Sequence, residues 1–287
     1  MPHRDFPADH PRRLLAALGL SPRKRLGQNF LHDGNVARKI VAGAVAMGPP
    51  FLEIGPGLGA LTRLFAEGGY PAVAVEVDRG FAAFLRDRYA GSSVEIAEAD
   101  FLAVSDGEWR RRFPAGGTAV GNLPYSVSSP IVVRLIDLRE TFPRAILMLQ
   151  KELVARLCAP PGGKEYGILS VYLAVLSDTR EEFAVRRTCF TPAPDVDSAV
   201  LTVRFRPGFP DIDFRRLQAV VRAAFAQRRK TLRNAPVPFL AGGSGEWCDM
   251  LRAAGIDPAA RAETVPPGKY LALARSLAAA DIPRSVR

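Results

Sequence analysis

Cysteine and histidine are scarce in this sequence of 287 residues, and their positions limit the chemistry that the chain can perform. The three cysteines, Cys158, Cys189 and Cys248, are odd in number and far apart, so they indicate neither a disulfide framework nor a zinc site. All three histidines lie within the first 32 residues. A histidine-based catalytic triad and a His-rich metal site are therefore disfavoured, and we expect no bound metal.

The sequence also lacks a long apolar run. The best candidate for a membrane span, Val41 to Leu52, is interrupted by Gly48-Pro49-Pro50. The first 13 residues are polar and interrupted by proline, without the apolar core of a signal peptide. Hydrophobic residues make up 48% of the chain, which is typical of a globular protein with a sizeable core. We therefore expect a cytoplasmic protein that does not bind membranes.

Positive charge is present in excess, and it is concentrated in two blocks. The net charge is +10. Residues 1–25 hold six Lys/Arg and two Asp (+4), and residues 214–234 hold seven Lys/Arg and no acid (+7), which leaves 10 − 4 − 7 = −1 for the remainder. Two basic blocks beside a neutral body favour a polyanionic partner such as nucleic acid. The alternative is a solvated charged surface.

Short apolar runs alternate with helical patterns in the first two thirds of the chain, which predicts parallel βαβ units. Asp33 is expected to cap the first helix of this series. The strands are expected at 51–54, 72–77, 94–97, 118–121 and 145–149, with helices at 61–67, 81–89 and 131–138. Residues 182–187 and 199–205 are expected to pair as a terminal antiparallel hairpin.

The segment from Arg206 to Pro210 is rich in proline and glycine, which is typical of a linker. We therefore expect two domains. Residues 1–208 would form a catalytic α/β domain with a basic N-terminal extension at 1–25, and residues 209–287 a small helical domain.

Asn122-Leu123-Pro124-Tyr125 follows a predicted buried strand, where open α/β sheets place their ligand sites. The four residue types suit the binding of a planar exocyclic amine. The Asn122 side-chain oxygen and the Pro124 carbonyl could accept its two N–H groups, and the ring of Tyr125 could stack on a base. An ordinary turn is the alternative, because these residue types are common in loops.

A glycine-rich turn, Gly55-Pro56-Gly57-Leu58-Gly59, closes the first strand of the series. Its G-x-G-x-G spacing differs from the G-x-G-x-x-G of dinucleotide-binding proteins, which disfavours an oxidoreductase. Glu76 ends the next strand and could bind ribose hydroxyls, and Asp100 follows the third strand and could accept from an adenine amine. Taken together, these groups favour S-adenosylmethionine over NAD.

An ordered series of motifs runs from about Lys24 to Arg261-Ala262-Glu263, nearly the whole chain. The motifs are Lys24-Arg25-Leu26-Gly27-Gln28-Asn29-Phe30-Leu31, the turn at Gly55, Glu76, Asp100, Asn122-Leu123-Pro124-Tyr125, Gln150-Lys151-Glu152, Tyr166-Gly167, Phe190-Thr191-Pro192-Ala193-Pro194 and residues 225–234. Together they resemble the ribosomal RNA adenine-N6 dimethyltransferase family, and specifically its small-subunit (16S) member.

This resemblance implies a Rossmann-like methyltransferase sheet, a helical C-terminal domain and S-adenosyl-L-methionine as cofactor. It implies that Phe190 stacks on the target base opposite Tyr125, where core packing is the alternative. The chain departs from the family at Ala99, where glycine is usual, and after Val171, where a glutamine is missing. The implied cofactor contacts are Gln28, Asn29, Leu31, Gly55, Gly57, Glu76, Asp100 and Asn122.

The second basic block is expected to contact RNA phosphates. On one continuous helix, Arg215, Arg222 and Arg229 would recur every seven residues, and Arg233 would extend the stripe opposite Leu217, Val221 and Phe225. Such a stripe can bind phosphates without reading sequence. The candidate RNA contacts are Arg222, Arg228, Arg229, Lys230 and Arg233.

The expected function is dimethylation of two adjacent adenosines in small-subunit rRNA during ribosome assembly. The expected partner is this rRNA or the immature small subunit, and the enzyme is expected to act as a monomer. Two alternatives stay open, a large-subunit rRNA methyltransferase of the antibiotic-resistance type and an assembly factor that acts mainly by binding.

Overall fold

The computed structural model describes residues 10–21, 27–208 and 213–277. Three of the predicted features lie partly outside this range. They are the basic extension, at residues 1–9 and 22–25, the first motif, at residues 24–26, and the linker, at Phe209 and Pro210. Contacts divide the chain into two compact units, Met1–Val154 with Arg180–Phe205 and Ala155–Thr179 with Arg206–Arg287. This division differs from a single boundary at 208, because residues 155–179 group with the C-terminal segment.

The first unit is built on a seven-stranded, mostly parallel sheet. Its strands are β2 (Phe51–Ile54), β3 (Ala72–Glu76), β4 (Val94–Glu98), β5 (Thr118–Asn122), β6 (Arg144–Gln150), β7 (Ser177–Val185) and β9 (Ser198–Phe205). They lie in the order β4-β3-β2-β5-β6-β9-β7, and β9 is antiparallel to β6. The first five match the predicted strands to within one residue at each end, and β7 and β9 are neighbours, as the predicted hairpin requires.

A separate two-stranded sheet brings a distant segment beside the N-terminal part of the unit. Strand β1 (Phe30–Leu31) pairs antiparallel with β8 (Phe190–Thr191), so that Leu31 lies opposite Phe190. The helices assigned mainly to this unit are α1 (Pro11–Leu18), α2 (Gly34–Met47), α3 (Thr62–Glu67), α4 (Arg79–Arg88), α5 (Asp106–Arg112) and α6 (Ser128–Asp137). Helix α7 (Lys151–Leu157) begins in this unit and ends in the other.

Local sequence explains where several of these helices begin. The Asp33 side chain accepts hydrogen bonds from the backbone N–H groups of Asn35 (2.8 Å) and Val36 (3.1 Å), which confirms it as the cap of α2. Helix α1 forms within the predicted basic extension, and its buried Leu14 and Leu15 pack in an apolar cluster of the first unit. Part of that extension therefore belongs to the folded core.

Parallel topology decides where polar groups can gather. Strands β2, β3, β4 and β5 run in the same direction, so their carboxyl ends meet at one edge of the sheet. The central strands are almost completely buried, and Leu52 and Val120 have no exposed surface. This rigid core holds the loops that follow the strands in fixed positions.

The second unit is helical. Its helices are α8 (Ile168–Leu176), α9 (Phe214–Phe225), α10 (Gly243–Ala253) and α11 (Pro267–Ser276). Leu217 and Val221 of α9 are fully buried, as is Trp247 of α10, whose indole N–H donates to the Leu232 carbonyl at 2.9 Å. In the part of the chain that the structure describes, no helix is long and apolar enough to cross a membrane.

The prediction of one continuous basic helix was wrong. Helix α9 ends at Phe225, so Arg229 and Arg233 are not part of it. The backbone leaves the helical path because the next segment bonds elsewhere: the Leu232 N–H donates to the Ala260 carbonyl and the Arg233 N–H to the Pro258 carbonyl, both at 2.9 Å.

Candidate active site

A cavity of about 220 Å³ opens where the carboxyl ends of the parallel strands meet. Residues from both short strands β1 and β8 also line it. All the residues predicted for catalysis or cofactor binding line this cavity, although they come from separate parts of the sequence. They are Gln28, Asn29, Leu31, Gly55, Gly57, Glu76, Asp100, Asn122, Leu123, Pro124, Tyr125 and Phe190.

Glu76 fixes the glycine-rich turn at the centre of this cavity. One carboxylate oxygen accepts from the Gly57 N–H and the other from the Asp78 N–H, both at 2.9 Å. Only 4% of the residue is exposed, and this burial raises its pKa, although the two backbone N–H groups act in the opposite direction. Each oxygen keeps a second lone pair, so the carboxylate can still accept from the hydroxyls of a ligand.

Backbone conformation explains the glycines of the turn. Gly55 and Gly57 have φ angles of +68° and +56°, in the left-handed region that favours glycine. A Cβ atom at residue 57 would approach the Phe30 ring to 3.1 Å, whereas one at residue 55 would meet nothing within 4 Å. The turn therefore packs tightly on one side and leaves space beside Gly55 for a ligand to approach the backbone.

Asp100 lies at the outer end of the same edge. It is exposed, and its side chain accepts from the Leu102 N–H at 2.9 Å, which sets its direction. Ala99, the departure from the family, donates its N–H to the Glu76 carbonyl at 3.0 Å. Among the described residues only glycines have positive φ, so alanine is accommodated at position 99 without left-handed strain.

Asn122 is held by a hydrogen bond that orients its amide group. Its Nδ2 donates to the backbone carbonyl of Asn29 at 3.0 Å, and Asn29 Nδ2 in turn donates to the Gly27 carbonyl at 3.2 Å. Because the donor side of the Asn122 amide is engaged, Oδ1 is left as a positioned acceptor. The residue is half-buried at the end of β5.

The structure corrects the expected role of the Pro124 carbonyl. That oxygen already accepts from the Val127 N–H at 3.2 Å and from the Ser128 hydroxyl at 2.8 Å, which engages both of its lone pairs. The carbonyl of Leu123 accepts no hydrogen bond from the residues that the structure describes. Leu123 lines the same cavity, so its carbonyl is the better second acceptor beside Asn122.

Two aromatic rings face the cavity. Tyr125 is half-buried, and its hydroxyl lies 3.0 Å from the hydroxyl of Ser198 on β9. Burial raises the pKa of Tyr125, so the phenol stays neutral at physiological pH. Phe190 is 3% exposed and belongs to the hydrophobic core, yet it also lines the cavity. Phe190 therefore packs in the core and can also contact a ligand in the cavity.

Comparison with known proteins identifies the family. Residues 19–279 match the family described as ribosomal RNA adenine dimethylase. The chain belongs to this family. The resemblance drawn from the motifs is therefore confirmed, and the protein is an RNA methyltransferase that requires a methyl donor of the S-adenosylmethionine type.

Relatives and solved structures agree with this assignment. The chain is 40% identical over 280 residues to the ribosomal RNA small subunit methyltransferase A of Desulfitobacterium hafniense, covering 94% of this chain and 97% of the relative. It is 43% identical over 270 residues to that of Geobacter sulfurreducens, covering 91% and 97%. A dimethyladenosine transferase from Plasmodium falciparum has a TM-score of 0.71 at 25% identity, covering 85% and 95%.

The 23S rRNA methyltransferase ErmE also has a similar structure, with a TM-score of 0.63 at 26% identity over 86% of this chain and 98% of that one. These neighbours confirm the predicted Rossmann-like methyltransferase fold of this family member.

Two residues of the site were missed by sequence reasoning. Ser198, 1% exposed, holds the Tyr125 hydroxyl. Glu53 on β2 is 2% exposed and lines the cavity, and its Oε2 accepts from the Thr62 hydroxyl at 2.7 Å. The signal for Glu53 was present, since it is an acid within a short strand that is otherwise apolar. The contact of Ser198 depends on tertiary structure and has no local signal.

The predicted RNA contacts all lie in the second unit and differ in their surroundings. Arg229, Lys230 and Arg233 are exposed, and Arg222 is half-buried within α9. Arg228 makes contacts inside the protein, since its Nε donates to Glu263 at 3.2 Å and its guanidinium also bonds to the carbonyls of residues 164 and 166. Within the described residues, no group of side chains suited to hold a metal ion is found.

Proposed function

We propose that this family member transfers methyl groups from S-adenosylmethionine to the N6 atoms of two adjacent adenosines in small-subunit ribosomal RNA during ribosome assembly. The names of the relatives from Desulfitobacterium hafniense and Geobacter sulfurreducens support the small subunit as substrate. The observation that carries the chemistry is the oriented Asn122 acceptor beside a cavity suited to the methyl donor. We further propose that the enzyme acts in the cytoplasm as a monomer.

The groups of the sheet edge fit the donor in the order in which the strands lie. Asp100 follows β4 and suits an adenine amine, and Glu76 ends β3 and suits ribose hydroxyls. Gly55 follows β2, where the open space lets a ligand approach the backbone. Asn122 ends β5, the next strand. When bound, S-adenosylmethionine supplies an electrophilic methyl group attached to a cationic sulfur.

The chain positions the target amine for this transfer. The exocyclic amine of adenine is a poor nucleophile, because its lone pair is delocalised into the ring. If Asn122 Oδ1 and the Leu123 carbonyl accept its two N–H groups, the lone pair is directed away from both acceptors and becomes available. Removing one such preorganised hydrogen-bonding group typically lowers turnover by about 10²–10³-fold.

No general base is required in this scheme. The nitrogen becomes cationic as it is methylated, and its proton is then acidic enough to leave to water. The ring of Tyr125 offers a π face to that developing positive charge, and its hydroxyl is held by Ser198. One N–H and the lone pair remain after the first transfer, so a second methylation at the same nitrogen is chemically accessible.

The aromatic rings can offset the energy needed to extract the base. Removing an adenine from its stack costs a few kcal/mol. Stacking on an aromatic side chain contributes about 1–3 kcal/mol per base, so Tyr125 together with Phe190 could offset most of this cost. Phe190 is almost fully buried, which means that its contribution requires the base to enter the cavity itself.

RNA binding is assigned to the exposed cations after α9, namely Arg229, Lys230 and Arg233. Their charge can contact phosphates without reading the sequence. Arg222 remains a candidate on α9. For Arg228 we infer a mainly structural role, because its guanidinium is engaged by protein groups.

Two alternatives make different predictions in one experiment. Labelled methyl donor is incubated with small subunits that lack the modification, large subunits and naked small-subunit rRNA, and the nucleosides are analysed. Label recovered as N6,N6-dimethyladenosine in small subunits supports the proposal. Label in large subunits would favour the activity named for ErmE, and subunit binding without transfer would favour an assembly factor.

A further inference from the structure

An arginine of helix α6 is bonded to the segment that carries Asp100. This segment, residues 99–105, connects β4 to α5 and is called the β4–α5 loop here. The guanidinium of Arg134 donates to the Val104 carbonyl at 2.8 Å and lies 2.6 Å from a carboxylate oxygen of Asp106, the first residue of α5. Only 18% of the Arg134 side chain is exposed, so these bonds contribute more than those of a surface pair.

Hydrogen bonds within the loop connect this contact to Asp100. The Val104 N–H donates to the Asp100 carbonyl at 3.2 Å, and the Ala103 N–H donates to the same oxygen at 2.9 Å. The Asp100 carboxylate accepts from the Leu102 N–H at 2.9 Å. Val104 is therefore bonded to Arg134 through its carbonyl and to Asp100 through its N–H.

The loop contributes more than Asp100 to the cavity. Phe101 and Leu102 also line it, and the Phe101 ring packs on Trp109 of α5 with 5.6 Å between the ring centroids. Trp109 is 1% exposed. Because Arg134 also bonds to the first residue of α5, it holds both the loop and the helix on which the loop packs.

Helix α6 is itself fixed to the other side of the cavity. It begins at Ser128, whose hydroxyl donates to the Pro124 carbonyl at 2.8 Å. Ile131, one turn before Arg134, is 4% exposed and lines the cavity. The helix therefore connects the loop proposed to hold the target amine with the loop proposed to hold the adenine of the methyl donor.

We propose that Arg134 is a positioning residue for the methyl donor, which holds the β4–α5 loop in the conformation in which Asp100 accepts from the adenine amine. The inference rests on the proposed function, in that it requires the adenine of S-adenosylmethionine to lie at Asp100. Arg134 is not among the residues that line the cavity, so it acts through the loop.

This role predicts a change in donor affinity with little change in the transfer step. A loop that is not held adopts several conformations, and the apparent dissociation constant rises in proportion as the binding-competent fraction falls. If loss of the Arg134 contacts lowers that fraction to about one tenth, the donor should bind about tenfold more weakly. Turnover at saturating donor should stay close to that of the wild type, because Asn122 and Tyr125 are unchanged.

The test measures the dissociation constants of S-adenosylmethionine and S-adenosylhomocysteine, together with single-turnover methyl transfer, for the wild type and Arg134→Gln. Both constants should rise about tenfold in the variant. Arg134→Lys keeps a cation and should restore part of the affinity, although lysine lacks the planar fork that bonds two partners at once. Arg111→Gln is the matched control. It removes an exposed cation that pairs with Glu108 on α5, and it should leave donor affinity unchanged.

A double substitution tests whether Arg134 acts through Asp100. Asp100→Ala alone should weaken donor binding, and adding Arg134→Gln should weaken it little further, because the group that Arg134 positions is already absent. Fully additive losses would overturn the proposal. It would also be overturned by wild-type donor affinity in Arg134→Gln, whether or not turnover or stability falls in that variant.

A second pair of variants holds if Arg134→Gln does not fold. Asp106 is 45% exposed, and Asp106→Lys places a like charge beside the guanidinium. Glu108→Lys makes the same charge change in the first turn of α5 without removing the partner of Arg134. Asp106→Lys should weaken donor binding more than Glu108→Lys, and equal effects would overturn the proposal. Failure of the wild type to bind the donor at all would instead contradict the proposed function.

Discussion

Replacement of Asn122 by alanine separates its role in catalysis from its role in stability. The change removes the 3.0 Å hydrogen bond from Nδ2 to the Asn29 carbonyl, and with it the oriented acceptor Oδ1. Loss of the hydrogen bond should lower the free energy of unfolding by about 1 kcal/mol. The free energy of unfolding of an ordinary domain is about 5–15 kcal/mol, so the variant should remain folded. Loss of the acceptor should lower turnover by about 10²–10³-fold, or about 2.7–4 kcal/mol of transition-state stabilisation.

The assay is single-turnover methyl transfer to small subunits that lack the modification, with RNA affinity and unfolding measured separately. RNA affinity should be nearly unchanged, because the basic residues of the second unit are intact. Ser129→Ala, at an exposed residue of α6 outside the cavity lining, is the control and should transfer methyl groups normally. Wild-type-like turnover by Asn122→Ala would refute the view that this side chain positions the amine.

Three further changes test other parts of the site. Arg229→Ala combined with Arg233→Ala should weaken RNA binding and reduce its salt dependence, by about 0.7–0.9 in the log–log slope for each phosphate that the protein no longer neutralises. Gly57→Ala should destabilise the fold by more than Gly69→Ala in denaturant titrations. Both glycines have positive φ, but only a Cβ at residue 57 would press on an aromatic ring. Ser198→Ala should lower turnover in the transfer assay by releasing the aromatic ring that it holds.

Each of these expectations has its own control. Arg252→Ala removes a cation that is paired with Asp249, so it should leave the salt dependence of RNA binding unchanged. If the double substitution of Arg229 and Arg233 also left this slope unchanged, the two arginines would belong to a solvated surface. Equal destabilisation at both glycines would mean that the ring contact is relieved at no cost. Tyr125→Phe removes the same hydrogen bond as Ser198→Ala, so their effects should not add, and full additivity would contradict a shared role.

Sequence patterns predicted the parallel strands and the residues at their carboxyl ends well. Buried parallel strands are short continuous apolar runs, which are visible directly in the chain. Because parallel strands end at one edge, the expectation that Glu76, Asp100 and Asn122 share a site followed from topology, and all three line the cavity.

Features that depend on contacts distant in sequence could not be predicted. The heptad spacing of arginines indicated a continuous helix, but α9 ends at Phe225 because Leu232 and Arg233 bond to residues 258–260. The engagement of the Pro124 carbonyl is local, since its donors are Val127 and Ser128, but it depends on the conformation of the turn, which the residue types alone do not specify. Residues 155–179 group with the C-terminal unit, which no composition change along the chain indicates.

The central claim is that this enzyme dimethylates two adjacent adenosines of small-subunit rRNA. It is tested most directly by mass spectrometry of small-subunit RNA, digested to short oligonucleotides after incubation of unmodified subunits with enzyme and methyl donor. The proposed function predicts two neighbouring N6,N6-dimethyladenosines in one oligonucleotide, formed by the wild type and absent with Asn122→Ala. Methyl groups on other atoms, or on large-subunit RNA alone, would contradict it.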